Sequence, residues 1–321
     1  MKQLFKPWLV ARFSSHHHSS NSTALKIGFI GLGNMGAPMA GNLAVKGFSV
    51  MGFDASQARY PEHSSKGLKM VSSVSEMFPQ ANLIFTMLPN SQIVKKLCEE
   101  TLFPNLAKDS IIIDSSTISP LVAKELSEKA NSKGLHYVDA PVSGGVPAAT
   151  GGTLTFMVGT EDIKLFERIE KILQAMGKII FKCGSPGSGQ IAKMCNNLSL
   201  AIQMVSVAEA LSLGKSLGIN LETLTNVMKV STARCWSIDT YNPVPGIMPG
   251  VPSSRNYENG FACELMLKDL NISKEVCKNI GKEPILGQKT IEMYEELVKN
   301  GLSKKDFSVV FDYIEKTKPK K

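Results

Sequence analysis

Histidine is scarce in this 321-residue chain. There are five, three of them consecutive at His16, His17 and His18, and none lies beyond His136. The side chain that most often moves protons near neutral pH is thus missing from the carboxyl-terminal half, and acid–base chemistry there needs another group. Six cysteines stand at 98, 183, 195, 235, 263 and 277, with no CxxC pair and no histidine at finger spacing. This excludes a zinc finger and a disulfide framework, and leaves reduced core thiols in a reducing compartment. No run of eighteen apolar residues occurs, so no membrane-spanning helix is expected. Acid is absent from the first 53 residues, where an even spread would place about four or five carboxylates; Asp54 is the first.

That last absence has a positive counterpart. Residues 1–24, MKQLFKPWLVARFSSHHHSSNSTA, mix Lys and Arg with Leu, Phe and Trp and then turn serine-rich. The composition is that of a mitochondrial transit peptide and points to the matrix; an uncleaved tail is the other reading. The histidine triplet would leave with the leader. Hydrophobic residues at 43% and charged ones at 20% describe a folded globular protein. The formal charge of +8 comes largely from the ends, Lys2, Lys6 and Arg12 at one and Lys316, Lys318, Lys320 and Lys321 at the other. Between them acids and bases interleave, which argues against nucleic acid as a partner.

From residue 25 the text alternates. Strand-like runs at 26–30, 49–53, 82–87, 110–114 and 135–138 are separated by helix-like stretches such as ISPLVAKELSEKANSKG, with Pro120 early and Gly134 past its end. Such repetition predicts an α/β fold with a mainly parallel sheet covered on both faces. TLTFMV and KIIFKC read as two further strands around the helix IKLFERIEKILQAMG. Near residue 188 the strand signals stop. Ile191, Met194, Leu198, Ile202, Val205, Ala208 and Leu211 keep helical spacing through roughly 30 residues, about 45 Å, and predict one buried face. Further helices are expected at 221–230, 262–280, 285–300 and 306–316, with an ordered proline-rich loop, YNPVPGIMPGVPSS, between them. The organisation read from this pattern is a leader at 1–24, a dinucleotide-binding domain at 25–187 and an all-α domain at 188–321.

Gly31-x-Gly33-x-x-Gly36 follows the first strand and opens a helix, and Asp54 ends the next strand 18 residues after Gly36. Glycines there permit a tight turn and close approach to a pyrophosphate, whose charge faces a helix N-terminus. A carboxylate after the second strand accepts hydrogen bonds from ribose hydroxyls and repels a 2′-phosphate, which favours NAD over NADP. The sequence therefore predicts a Rossmann-type domain followed by an all-α C-terminal domain. Met87-Leu88-Pro89 and Asp114-Ser115-Ser116-Thr117 end later strands. On the residues alone they are either crevice loops or plain turns.

DAPVSGGVPAATGG, residues 139–152, is too rich in Gly, Ala and Pro for a strand or helix interior. Ser143-Gly144-Gly145 is either a plain loop or a backbone nest able to hold a carboxylate. In GSGQIAKMCNN, Lys193 and Asn197 lie four apart, one turn, on the helix that joins the two patterns. Either Lys193 is a surface lysine, or it faces a cleft. Beside a cationic nicotinamide its pKa would fall from about 10.4, and it could take the proton that alcohol oxidation releases. Asn197 could then orient the reacting oxygen.

FIGLGNMGAPMAGNL, DAPVSGGVPAATGG, GSGQIAKMCNN and LMLKDL resemble, in order and spacing from about residue 26 to 312, the β-hydroxyacid dehydrogenases. CWSIDTYNPVPG and KKDFSVVF narrow the resemblance to the branch that oxidises (S)-3-hydroxyisobutyrate in valine catabolism. The resemblance implies Lys193 as catalytic acid/base with Asn197 as companion, and Ser143, Gly144 and Gly145 at the substrate carboxylate. It places Gly31, Leu32, Gly33, Asn34, Met35 and Gly36 with Asp54 on NAD, and Leu88, Pro89, Ile93, Thr117 and Lys268 near the same cofactor. Phe261 and Asp269 would lie near the substrate, in part as supports. It further implies a small 3-hydroxy acid as partner and a homodimer or homotetramer built through the helical half, with no nucleic acid or membrane. Ile93 replaces a polar residue of close relatives, and Asn271 a small one after KDL. Three other readings differ in kind. A glyoxylate or tartronate-semialdehyde reductase using NADPH would carry Arg in place of Asp54. A 6-phosphogluconate dehydrogenase would need a larger helical domain. A non-catalytic nucleotide-binding assembly protein would lack Lys193.

Overall fold

The computed structural model describes residues 25–317, so the leader lies outside the described residues. The strands are β1 Lys26–Ile30, β2 Ser49–Phe53, β3 Lys69–Met70, β4 Leu83–Thr86, β5 Ile111–Asp114, β6 His136–Asp139, β7 Val142–Ser143, β8 Leu154–Gly159 and β9 Gly177–Gly184. Their order begins β3-β2-β1-β4-β5-β6, all parallel. β6 and β7 both pair antiparallel with β8 in one continuous register, Asp139 opposite Gly159, Val142 opposite Phe156 and Ser143 opposite Thr155. β9 lies parallel to β8 on its other side.

The expected α/β sheet covered on both faces is what the chain forms. Ile27, Phe29, Leu83, Phe85, Ile111 and Ile113 enter one core, while Ile30, Ile84 and Ile112 enter the core on the opposite face. Both alternating sets are apolar, which is why these strands read as unbroken hydrophobic runs. A third core fills the helical half, where Met204, Ala208 and Leu211 meet Met266, Leu270, Ile291, Tyr294, Phe307 and Phe311. Its helices include Ser188–Ser216, Leu221–Val230, Cys263–Asn279, Ile285–Leu297 and Val310–Lys316.

Two sequence expectations need correction. The 139–152 stretch is not plain loop: it contains β7 and a short helix, Gly145–Thr150. Val142 earns its place by cross-strand pairing, and Pro147 sits in the first helical turn, where the missing N–H has no intrahelical role. The second correction concerns the Ser188–Ser216 helix. The expected stripe holds at its far end, where Ala208 and Leu211 are buried, but in the first turns Ile191 is 49% exposed and the buried row is instead Gln190, Lys193 and Asn197, continuing through Ala201 and Met204. The first turns pass between the two halves, so polar side chains are buried there. By length and composition this helix also matches a membrane span, yet that row packs against the rest of the chain.

Candidate active site

In a parallel sheet, ligands bind beyond the carboxyl ends of strands where the strand order reverses. Here that point lies between β1 and β4. Gly31 has φ +94°, and a Cβ there would lie 2.3 Å from Met87 O, so the two strand ends touch. A Cβ at Gly36 would lie 1.9 Å from Gly31 O, which closes the turn onto the helix Gly36–Val45. Gly33 is different: a Cβ there would meet no protein atom within 4 Å. The chain's own packing does not demand this glycine, whereas close approach of a dinucleotide's pyrophosphate does. Gly33 and Asn34 line a cleft of about 430 Å³ with Val146 and Thr150.

Asp54 holds the turn. Its Oδ2 accepts the Leu32 N–H at 2.7 Å and its Oδ1 the Ser56 N–H at 2.8 Å. The Leu32 side chain is buried in the core, and Met35 occupies the position before the helix. Leu88 donates its N–H to Ser116 Oγ at 2.8 Å, with Pro89 exposed beside it. Ile93, in the first turn of Ser91–Leu97, is 43% exposed and donates its N–H to Asn90 Oδ1.

A second set of residues forms one contact chain. Lys193 is buried, and among the described residues its ammonium has no hydrogen-bond acceptor. Burial lowers its pKa; Asp269 opposes that shift, and the positive charge of Lys268 adds to it. An amine so placed can exchange a proton nearer neutrality than an ordinary lysine. Asn197 donates to Asp269 Oδ2 at 2.6 Å and accepts from the Asn196 amide at 3.0 Å. Lys268 lies 2.9 Å from Asp269 Oδ1, an ion pair without hydrogen-bond alignment, and donates to Thr117 O at 2.8 Å. Lys193, Asn197, Asp269, Lys268 and Thr117 are therefore brought together, with Asp269 acting as the buried brace.

Ser143 is half-buried where β7 runs past the parallel edge, followed by Gly144 (φ +129°) and Gly145 (φ +66°). The long helix begins next to that ribbon: a Cβ at Gly189 would lie 2.1 Å from Met157 O in β8. Phe261 belongs to another set. Its N–H donates to Asp306 Oδ2 at 2.7 Å, and its ring meets Phe307 edge-on at 6.0 Å.

Sequence reasoning missed the residues that hold this frame. Asp114 is fully buried and accepts from Thr86 at 2.8 Å and Tyr137 at 2.7 Å, tying three adjacent strands; burial raises its pKa. Asp139 accepts Gly187 N–H at 2.8 Å and Gln190 N–H at 3.0 Å, capping a helix that has no side-chain cap of its own. Burial pushes Asp139 up to about 6. Gly159 is the available signal for this cap, since a Cβ there would lie 2.2 Å from Asp139 Oδ1.

The crevice at the strand reversal, its glycine turn and the helical half beside it define a dinucleotide-dependent oxidoreductase. Residues 26–184 match the NAD binding domain of 6-phosphogluconate dehydrogenase, and residues 187–314 match the NAD-binding domain of NADP-dependent 3-hydroxyisobutyrate dehydrogenase. The mitochondrial 3-hydroxyisobutyrate dehydrogenase of Drosophila melanogaster is 43% identical over 301 residues, covering 94% of this chain and 92% of that protein. Its Homo sapiens counterpart is 43% identical over 299 residues, covering 92% and 89%. The structure of Mycobacterium tuberculosis 3-hydroxyisobutyrate dehydrogenase with L-serine superposes with a TM-score of 0.85 at 36% identity, covering 91% of this chain and 99% of that one. The chain belongs to the 3-hydroxyisobutyrate dehydrogenase family.

Proposed function

We propose that the protein oxidises (S)-3-hydroxyisobutyrate to methylmalonate semialdehyde with NAD, in the mitochondrial matrix and as a step of valine catabolism. The observation that carries the chemistry is Lys193, buried beside the crevice with its pKa lowered and no acceptor for its ammonium. When bound, the nicotinamide supplies a two-electron acceptor for the hydride leaving C3. Lys193, as the free amine, takes the hydroxyl proton, and the C–O bond becomes a carbonyl. Asn197 keeps a second amide N–H for the reacting oxygen, while Asp269 fixes its orientation. Ser143 and the two glycines after it offer a hydroxyl and open backbone amides to the substrate carboxylate.

NAD is favoured by Asp54 at the end of β2, whose charge repels a 2′-phosphate. The family matched by residues 187–314 is described by an NADP-dependent 3-hydroxyisobutyrate dehydrogenase, so the competing cofactor has support of its own. The mitochondrial assignment rests on the mitochondrial relatives and on the composition of the leader. Self-assembly is supported by apolar side chains left exposed in the helical half, among them Leu213 at 62%, Leu217 at 79% and Val230 at 87%.

The deciding experiment is a panel of small 3-hydroxy acids, each with NAD and NADP, ranked by catalytic efficiency. One methyl group discriminates by about 1–3 kcal/mol, so (S)-3-hydroxyisobutyrate should lead with some leakage to serine and 3-hydroxypropionate. No oxidation above background refutes the substrate, and a clear NADP preference refutes the cofactor. Lys193→Ala should nearly abolish turnover while NAD still binds; retained turnover rejects the proton acceptor.

A further inference from the structure

Three consecutive residues after β5 have backbone polar groups held by side chains of the helical half. Gln190 Nε2 donates to Ser116 O at 2.7 Å, Lys268 Nζ donates to Thr117 O at 2.8 Å, and Ile118 N–H donates to Gln190 Oε1 at 3.1 Å. The same segment is tied back to the sheet. Ser116 N–H donates to Asp114 Oδ1 at 3.1 Å, and Leu88 N–H donates to Ser116 Oγ at 2.8 Å. Gln190 is fully buried and carries one bond of each sense. Two bonds of opposite sense to backbone groups two residues apart cannot both survive if the helix rotates or slides. Lys193 stands three residues further on, on the same face.

We propose that Gln190 is a positioning residue: its grip on Ser116 O and Ile118 N–H sets the rotation and depth at which Lys193 enters the crevice. Asp139 secures the same turn from β6 through Gly187 and Gln190 N–H. A glutamine serving fold stability alone would leave turnover per folded molecule unchanged when replaced. A positioning glutamine would not, because a misplacement of about 1 Å costs up to about a hundredfold in rate. The kinetic part of this inference rests on the proposed dehydrogenase reaction.

The test compares Gln190→Met, of similar length but without the polar ends, with Gln190→Asn, which keeps them but is one methylene short. Both are read in the folded full chain. In each, kcat should fall about tenfold or more with KM for NAD within about twofold, and the isotope effect for C3-deuterated substrate should rise as hydride transfer becomes limiting. Two readouts do not depend on turnover. Amide exchange should accelerate at residues 116–119 and in the first turns of the long helix, and labelling of Lys193 by an amine-selective reagent should change in rate. A folded variant with kcat within about twofold of wild type and an unchanged isotope effect overturns the inference. So do unchanged exchange at Ile118 and unchanged labelling of Lys193. If the Met variant does not fold, the Asn variant decides by the same criteria. If the wild type oxidises none of the acids, the substrate reading fails, and exchange and labelling still decide the role of Gln190.

Discussion

Burial of the Lys193 side chain disfavours its charged form, and that bias toward the neutral amine is what a proton acceptor needs. Because burial lowers the Lys193 pKa, its free-amine fraction is reached below the ordinary value of 10.5. Oxidation needs the amine and reduction needs the ammonium. The oxidative kcat should therefore rise with pH to a plateau, and the reductive kcat should fall over the same interval. Rates in both directions across about pH 6 to 11 check this; profiles that show no midpoint below the lysine value of 10.5 would assign the proton to another group. At this scale the sequence was legible only as spacing. Lys193 and Asn197 stand one turn apart in any helix, but whether that face meets water or the crevice depends on Asp269, 72 residues from Asn197.

Among the elements, the strands were readable because both faces are apolar, and the glycine turn because its conformation leaves few alternatives. The long helix misled. Its most hydrophobic stripe faces outward near the first turns, since the inward row must carry Gln190, Lys193 and Asn197. The cap was invisible for a related reason: Asp139 is 48 residues from the Gly187 amide it accepts. The cap also leaves a pH signature. Asp139 rises from 3.8 to about 6 because burial penalises its charge. Its contribution to stability is thus fully present below the unfolded value and lost as pH rises through the folded one. At about 1.4 kcal/mol per unit, that shift amounts to roughly 3 kcal/mol. The stability difference between wild type and Asp139→Asn should therefore move against wild type by roughly 2 kcal/mol between about pH 4 and 6.5, the rest of the shift lying outside that window. Urea unfolding at several pH values measures it, and parallel stability profiles would show that Asp139 does not carry the linkage.

For the whole molecule, sequence pattern alone indicated a sheet half and a helical half. It did not indicate how they are joined, because the joining groups are backbone carbonyls and amides of residues 116–118, which every sequence possesses. The helical half also presents apolar side chains beyond the needs of its own core. If copies of the chain cover them, Leu213→Glu combined with Leu217→Glu should lower the mass seen in sedimentation while leaving the nucleotide half folded. A wild-type chain that sediments as a monomer would remove the assembly proposal.

β6 and β7 share one register along β8, so Asp139 and Ser143 ride on a single stiff ribbon. Four residues of extended chain separate them by about 13 Å, and their side chains project to the same side. The ribbon thus works as a ruler with the helix anchor at one mark and the serine at another. Lengthening it by one residue would both displace the serine and turn it to the opposite face, so if Ser143 holds the substrate carboxylate as proposed, a longer substrate cannot be accommodated here by small steps.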